Sequence, residues 1–180
     1  MLNRSLSALL LVSAGLIAAP PAPEPSRWAQ FQLAHLDQRN SDCVESSPGY
    51  GAGYGTWLTP QWGWEATWLH GSLKDTRGLW KADEDHLGAT VLYAPWAKQG
   101  RWTPFLRAGL GASRLQNPLS LTGKSGTFAH FTLGAGAQLE LSERMLATLE
   151  VRSISVDTRT RRQEIAFLAG LGWRWRGDDK

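Results

Sequence analysis

The tripeptide His70-Gly71-Ser72 is the pairing in this 180-residue sequence that most resembles catalytic chemistry. An imidazole near a hydroxyl can act as the general base for a serine nucleophile when an acidic group orients the imidazole. The neighbours of Ser72 are otherwise those of an ordinary polar loop, which favours a surface hydroxyl. We therefore predict no catalytic site and keep His70 and Ser72 as a weak alternative.

The four histidines fall on different segments near polar stretches, and no two form an H-x-x-x-H pair. A metal site would have to be assembled in space, and solvated or loop-packed histidines are the commoner outcome. We predict no metal site at these positions, which are His35, His70, His86 and His130.

Three further features argue against cofactors and nucleic acid. Cys43 is the only cysteine, so a disulfide framework and a thiolate zinc cluster are both excluded. The glycine run at 49–55 lacks the G-x-G-x-x-G spacing of a dinucleotide loop, and no helix follows it. The net charge of +3 is dispersed along the chain. This is unlike the basic patch of a nucleic-acid-binding protein.

The first residues resemble a secretory signal peptide. Arg4 precedes an apolar run over 6–19, which ends in small residues and is followed by a proline-rich stretch. The run is shorter than the roughly 20 residues of a spanning helix. We predict a signal peptide over 1–19 with cleavage between 19 and 25, a linker over 20–27, a barrel over 28–176 and a tail over 177–180.

From Trp28 onward, apolar residues recur at every second position, which is the period of β-strands. The clearest segment is 165–175, where Ile, Phe, Ala, Leu and two Trp alternate with Ala, Leu, Gly and Arg. We count eight strands of about 8 to 11 residues, which is the length that crosses a bilayer at about 45° tilt.

The second face of these strands distinguishes a membrane barrel from a soluble one. Soluble sandwiches and lipocalin-like barrels carry long polar side chains on the face that meets water. Here that face holds mainly Gly, Thr and Ala with a few charges, which suits the crowded interior of a narrow barrel surrounded by lipid. The predicted fold is all-β, an eight-stranded antiparallel up-and-down transmembrane β-barrel.

The connections support this topology. Tight turns at 59–61 and 142–144 and a modest one at 95–101 alternate with long polar stretches at 37–48, 71–85, 113–126 and 153–163. Short periplasmic turns and long extracellular loops are typical of outer-membrane barrels. Eight tryptophans fall near the short turns or the termini, and we predict an aromatic girdle of Trp28, Trp57, Trp62, Trp64, Trp96, Trp102, Trp173 and Trp175.

Three acids and three bases fall on the face predicted to avoid lipid. A charge facing hydrocarbon costs about 2 to 4 kcal/mol at the midplane, so these residues are expected to point into the lumen. There they should pair, either as a structural plug or, less readily in so narrow a barrel, as a proton or solute path. The predicted lumen network is Glu65, Arg107, Glu140, Glu150, Arg152 and Arg174.

With its signal peptide, eight strands and glycine-rich inner faces, the mature chain resembles the small outer-membrane β-barrels that include the OmpA transmembrane domain and OmpX-type proteins. The last strand resembles the family's C-terminal insertion signal, carried here by Phe167, Leu171, Trp173 and Trp175, although residues 176–180 follow it. His70 and Ser72 resemble part of the motif of outer-membrane lipid A deacylases, which use His, Ser and an acid. Their signature has Asn after the Ser, where this chain has Leu73.

The resemblance implies a non-enzymatic outer-membrane protein of the Gram-negative envelope, porin-like in fold, with a structural role and surface loops. The alternatives are an enzyme acting on lipid A and a narrow solute channel. Expected partners are outer-membrane lipid, lipopolysaccharide and the barrel-insertion machinery. We expect a monomer with no cofactor, and the sequence names no ligand for the loops.

Overall fold

The computed structural model describes residues 26–38, 44–75, 81–96, 101–116, 126–157 and 162–176. Every element in these ranges is a β-strand, and no helix there is long and apolar enough to cross a membrane. The strands are β1 (Ser26–Gln38), β2 (Ser47–Trp57), β3 (Trp62–Asp75), β4 (Lys81–Tyr93), β5 (Trp102–Gln116), β6 (Gly126–Glu140), β7 (Met145–Val156) and β8 (Arg162–Arg176).

The eight strands close into one antiparallel barrel, which confirms the predicted fold. Each strand pairs with its neighbours in sequence, and β1 pairs with β8, for example Ala29 with Trp173. A two-residue segment, Val44–Glu45, adds a short pairing to the end of β3. Closure removes the open edges that an unclosed sheet would expose to lipid.

Large apolar side chains cover the outside of the barrel, as the alternation predicts. Leu110 is 70% exposed, Leu87 63% and Leu33 61%, although each lies in the middle of a strand. A soluble monomer rarely exposes so continuous an apolar surface. This surface fits contact with hydrocarbon rather than with water.

The inside of the barrel is filled with side chains. Near the short turns lies an apolar plug of Trp28, Leu92, Phe105 and Leu146, against which Trp57 packs. Polar and charged residues fill the middle, and an apolar cluster that includes Leu36, Leu69 and Ile154 occupies part of the opposite half. Inward glycines make this packing possible, since a Cβ at Gly55 would clash with the Trp28 ring.

Two of the predicted tight turns are built alike. The Thr59 hydroxyl accepts hydrogen bonds from the backbone N–H groups of Gln61 (3.3 Å) and Trp62 (2.9 Å). The Ser142 hydroxyl does the same for Arg144 (3.4 Å) and Met145 (3.1 Å). Local hydroxyl-to-backbone bonds of this kind favour turns, so these residues reverse the chain within four positions.

The strands extend further than the sequence predicts at the end away from the short turns. They are 11 to 15 residues long, and all eight reach into stretches that we expected to be loops. The outward residues of these extensions are polar, so this end of each hairpin projects beyond the lipid into water. We call this the loop end and the opposite one the short-turn end. β1 also begins at Ser26, two residues before the expected start of the barrel.

Several predictions concern residues outside the described ranges. These are the signal peptide over 1–19 with its cleavage region, the linker up to residue 25, Cys43 and the tail over 177–180.

Candidate functional site

Four of the predicted inward charges form one buried network across the middle of the lumen. Arg107 Nη2 lies 3.1 Å from Glu65 Oε2, and Arg107 Nε lies 2.6 Å from Glu150 Oε1. Arg152 donates to the same Glu150 carboxylate from Nε (2.9 Å) and Nη2 (3.2 Å). We call Glu65, Arg107, Glu150 and Arg152 the lumen network.

Neutral groups add hydrogen bonds to this network. Gln30 donates to Glu65 Oε1 at 2.9 Å and accepts from the Thr148 hydroxyl at 2.6 Å. The Arg107 guanidinium also lies 5.4 Å from the centre of the Phe105 ring on the same strand. Buried charges are tolerated only when paired and hydrogen-bonded, and two acids here face two bases.

The other two predicted members, Glu140 and Arg174, lie apart from the lumen network. They form an ion pair at the short-turn end, where Arg174 also donates to the Glu143 carbonyl from Nε (3.3 Å) and Nη2 (3.1 Å). The expected single network is therefore two separate groups, because β6 and β8 place these two residues near their short-turn ends.

The girdle prediction is wrong for two of its eight tryptophans. Trp28 is fully buried in the lumen, and its ring lies 5.8 Å from that of Trp57. The Trp57 indole donates to Gln138 Oε1 at 3.0 Å, across the interior. The reason is the alternation of side chains between the two faces of a strand. On β1, Trp28 lies on the face opposite to the exposed Phe31 and Leu33. On β2, Trp57 lies on the same face as the inward glycines.

The remaining predicted girdle residues lie on the outside near the short-turn end. Trp62, Trp102 and Trp173 are each about half exposed. Trp175 packs near Tyr54, with ring centres 6.0 Å apart. Trp64 and Trp96 are also exposed. The predicted insertion-signal residues lie on the outward face of β8 and are Phe167, Leu171, Trp173 and Trp175.

A second buried charge cluster lies at the loop end, and the sequence analysis missed it. His86 Nε2 lies 3.2 Å from Glu164 Oε2 and 3.7 Å from Glu84 Oε1. Arg162 bridges the two acids, with Nη2 at 2.6 Å from Glu164 Oε1 and in contact with Glu84. Glu84, His86, Arg162 and Glu164 are the loop-end cluster.

Two further side chains orient the histidine of this cluster. His86 Nδ1 lies 2.7 Å from the Ser113 hydroxyl, which lies 2.9 Å from His130 Nδ1. Glu84 falls in a stretch that we expected to be a loop, and Glu164 directly follows another, although each continues the inward alternation of its strand. The alternation of inward and outward residues, continued into these stretches, was the signal in the sequence that could have revealed the cluster.

The weak catalytic alternative lies on the outer surface, away from the lumen. His70 on β3 faces Asp85 on β4, with Nδ1 and Oδ1 2.9 Å apart, and the Trp68 indole donates to the same Asp85 oxygen at 3.2 Å. Tyr50 lies against His70, with ring centres 5.1 Å apart. Ser72 follows two residues along β3 on the same face.

The histidines are thus divided between two surroundings. His86 and His130 meet in the lumen, with ring centres 5.6 Å apart. His35 and His70 face outward on β1 and β3.

A closed antiparallel barrel with an apolar exterior and a charged, filled lumen defines the class of small outer-membrane β-barrels. The chain belongs to the family of the outer membrane protein beta-barrel domain, which matches residues 5–174. The predicted resemblance is therefore confirmed, and the protein is located in the outer membrane. Comparison with curated protein sequences finds no match.

Solved structures of outer-membrane barrels share the fold. Neisserial surface protein A (NspA) has a TM-score of 0.63 at 13% identity, covering 87% of this chain and 100% of that one. The N-terminal β-barrel domain of Pseudomonas aeruginosa OprF gives 0.58 at 15% identity, covering 86% and 99%. The outer membrane enzyme PagL gives 0.51 at 13% identity, covering 79% and 97%. Because one of these barrels is an enzyme, the fold is compatible with catalysis.

Proposed function

We propose that this protein is a non-enzymatic integral outer-membrane barrel with a structural role in the envelope, which presents polar loops at the cell surface. The observation that carries the proposal is the filled lumen. The lumen network links β3, β5 and β7 across the interior with side chains that are almost fully buried. Such cross-links suit a rigid scaffold.

The same interior argues against a solute channel. At the short-turn end, the apolar plug of Trp28, Leu92, Phe105 and Leu146 lies below the charges, and each of these side chains is at most 3% exposed. A solute would have to displace a packed tryptophan and then separate buried ion pairs, each of which is expensive to break.

The expected partners follow from the outer surface. Lipid and lipopolysaccharide would cover the exposed apolar side chains, and the barrel-insertion machinery would read the outward residues of β8. We propose a monomer, because the barrel closes on itself and leaves no open edge for a second copy.

The test compares a strain that lacks the protein with the same strain after complementation. We expect greater sensitivity to detergents and large antibiotics in the deletion strain, an unchanged lipid A mass spectrum, and no conductance steps from purified protein in planar bilayers. Discrete conductance would favour the channel. An acyl chain removed from lipid A only when the protein is present would favour the enzyme.

A lipid A deacylase is the second candidate, favoured by the contact between His70 and Asp85 at 2.9 Å with Ser72 on the same outward face. Ester hydrolysis needs a hydroxyl, a base and an acid that orients the base, and an outward site at the border of the apolar exterior would lie near lipid A. Against it, Leu73 replaces the Asn of the deacylase signature and is buried beside Ala82 and Leu115.

Lipid A mass spectra of cells expressing variants distinguish this candidate from the structural role. Ser72→Ala and His70→Asn should abolish any loss of an acyl chain if the site is catalytic. Ser155→Ala, which changes an exposed serine on β7, is the matched control. If wild type and variants give the same spectrum as the deletion strain, the enzyme candidate fails and the structural role remains.

A further inference from the structure

The loop-end cluster places three metal-ligand atoms close together inside the barrel. One atom each from Glu84, His86 and Glu164 lies within 4.8 Å of the others. These side chains are at most 3% exposed and come from β4 and β8, which are not adjacent in the barrel. An ion bound there would link opposite walls of the lumen beneath the loops.

Within the described part of the chain, two of the potential ligand atoms, whose side chains make ion-pair contacts with the rest of the cluster, make no hydrogen bond of good geometry. These are His86 Nε2, although it points at the carboxylates, and Glu84 Oε2. A buried polar atom without a good hydrogen bond is costly, so each such atom in a native structure calls for an explanation. A cation between the three side chains would satisfy both atoms together.

The surroundings of His86 match those of a metal-binding imidazole. Such histidines usually bond through the second ring nitrogen to another group, which fixes the orientation of the ring. Here Nδ1 meets the Ser113 hydroxyl at 2.7 Å, and that hydroxyl meets His130 Nδ1 at 2.9 Å. If His86 donates to Ser113 and Ser113 donates to His130, the lone pair of His86 Nε2 faces the two acids.

Arg162 acts as the counterion of the acids when no metal is bound. Its guanidinium contacts both carboxylates and is 13% exposed, whereas the carboxylates are at most 1% exposed. It therefore lies on the more open side of the cluster. Its long side chain can move toward the loop end when another cation takes its place.

We propose that Glu84, His86 and Glu164 bind a divalent transition-metal ion of the Zn²⁺ or Mn²⁺ type, with Arg162 displaced on binding. One imidazole and two carboxylates suit these ions, whereas Mg²⁺ and Ca²⁺ prefer oxygen ligands alone. The bound ion ties β4 to β8 and stiffens the base of the surface loops. The site is separate from the exterior pair of His70 and Asp85.

The test titrates the detergent-refolded, metal-free barrel with Zn²⁺, Mn²⁺ and Co²⁺, using calorimetry and the visible spectrum of Co²⁺. We expect one saturable site for at least one of these ions and a higher unfolding temperature in its presence. His86→Asn and Glu164→Gln should lose the site. Arg162→Gln should bind at least tenfold more tightly, because the competing cation is gone.

Matched controls separate this site from weaker ones. His70→Asn removes a histidine that also contacts a carboxylate, and Glu140→Gln changes the acid that pairs with Arg174 at the short-turn end, so both should bind like the wild type. Each variant is first shown to refold by its heat-modifiable migration in electrophoresis. Absence of saturable binding in both wild type and Arg162→Gln, or loss of binding in His70→Asn but not in His86→Asn, overturns the proposal.

Discussion

Arg107 Nε and Glu150 Oε1 lie 2.6 Å apart although their strands, β5 and β7, are separated by β6. The pair crosses β6 at Gly134, where a Cβ would lie 3.1 Å from both Arg107 Cγ and Glu150 Oε1. The missing side chain of Gly134 thus provides space for the ion pair. Arg107 also reaches Glu65 on β3 and is the residue that joins both acids of the lumen network.

Arg107→Leu should destabilise the barrel by about 3 to 5 kcal/mol, the scale of breaking a buried ion pair. Glu150 keeps its bonds to Arg152, so Glu65 is the acid that loses its cation. The free energy of unfolding, measured by denaturant titration in lipid vesicles, checks this. Adding Glu65→Gln should recover more stability than adding Glu150→Gln, and Glu140→Gln should recover none.

Leu106→Arg should cost about 2 to 4 kcal/mol for a different reason, since a charge near the midplane then faces lipid. Leu106 is 51% exposed, one residue from the buried Arg107. The penalty should vary with the acyl-chain length of the vesicles more than the penalty of Arg107→Leu does. Equal sensitivity of the two variants to bilayer thickness would contradict the assigned phase of β5.

Trp28→Ala should cost about 3 to 5 kcal/mol, because it leaves a cavity in the apolar plug. Trp173→Ala is the matched control, since that indole is 50% exposed on the outside of the barrel. Its cost should be smaller and should depend on the lipid. The comparison uses unfolding titrations in the same vesicles. A larger loss of stability in Trp173→Ala than in Trp28→Ala would contradict the placement of Trp28 in the apolar plug.

The sequence predicts the fold well where the exterior meets lipid, because hydrocarbon demands apolar side chains and the alternation is then sharp. The opposite phases of Leu106 and Arg107 follow from that contrast alone. Beyond the lipid the outward face meets water, and Lys81, Asp83 and Asp85 alternate with inward Glu84 and His86 without contrast in polarity. The loop-end cluster was therefore hidden at the borders of stretches that look like loops.

The two misplaced tryptophans show a second limit of sequence reasoning. An indole at a strand end can anchor in the headgroup region or fill the lumen, and position along the strand does not distinguish these cases. For Trp57 the inward glycines of β2 fix the phase. For Trp28 the phase is opposite to that of the exposed Phe31 and Leu33, and inside the barrel its ring packs near that of Trp57.

Replacing Trp173 and Trp175 together by Asp should strongly lower the amount of protein in the outer membrane. Both residues lie on the outward face of β8, which pairs with β1 to close the barrel. The change removes two interfacial anchors and disrupts the resemblance to the insertion signal. Immunoblots of outer-membrane fractions measure the level, and a strain lacking periplasmic proteases should accumulate the uninserted chain.

The control for this prediction is the double change of Trp62 and Trp64 to Asp. These residues occupy the outside of β3 at the same short-turn end and are 49% and 38% exposed, so they share the anchoring role but lie far from the terminal strand. If β8 carries an insertion signal, its double variant should lose far more protein than the β3 variant. Similar losses from both would mean that only anchoring is affected, and an unchanged level of the β8 variant would contradict both roles.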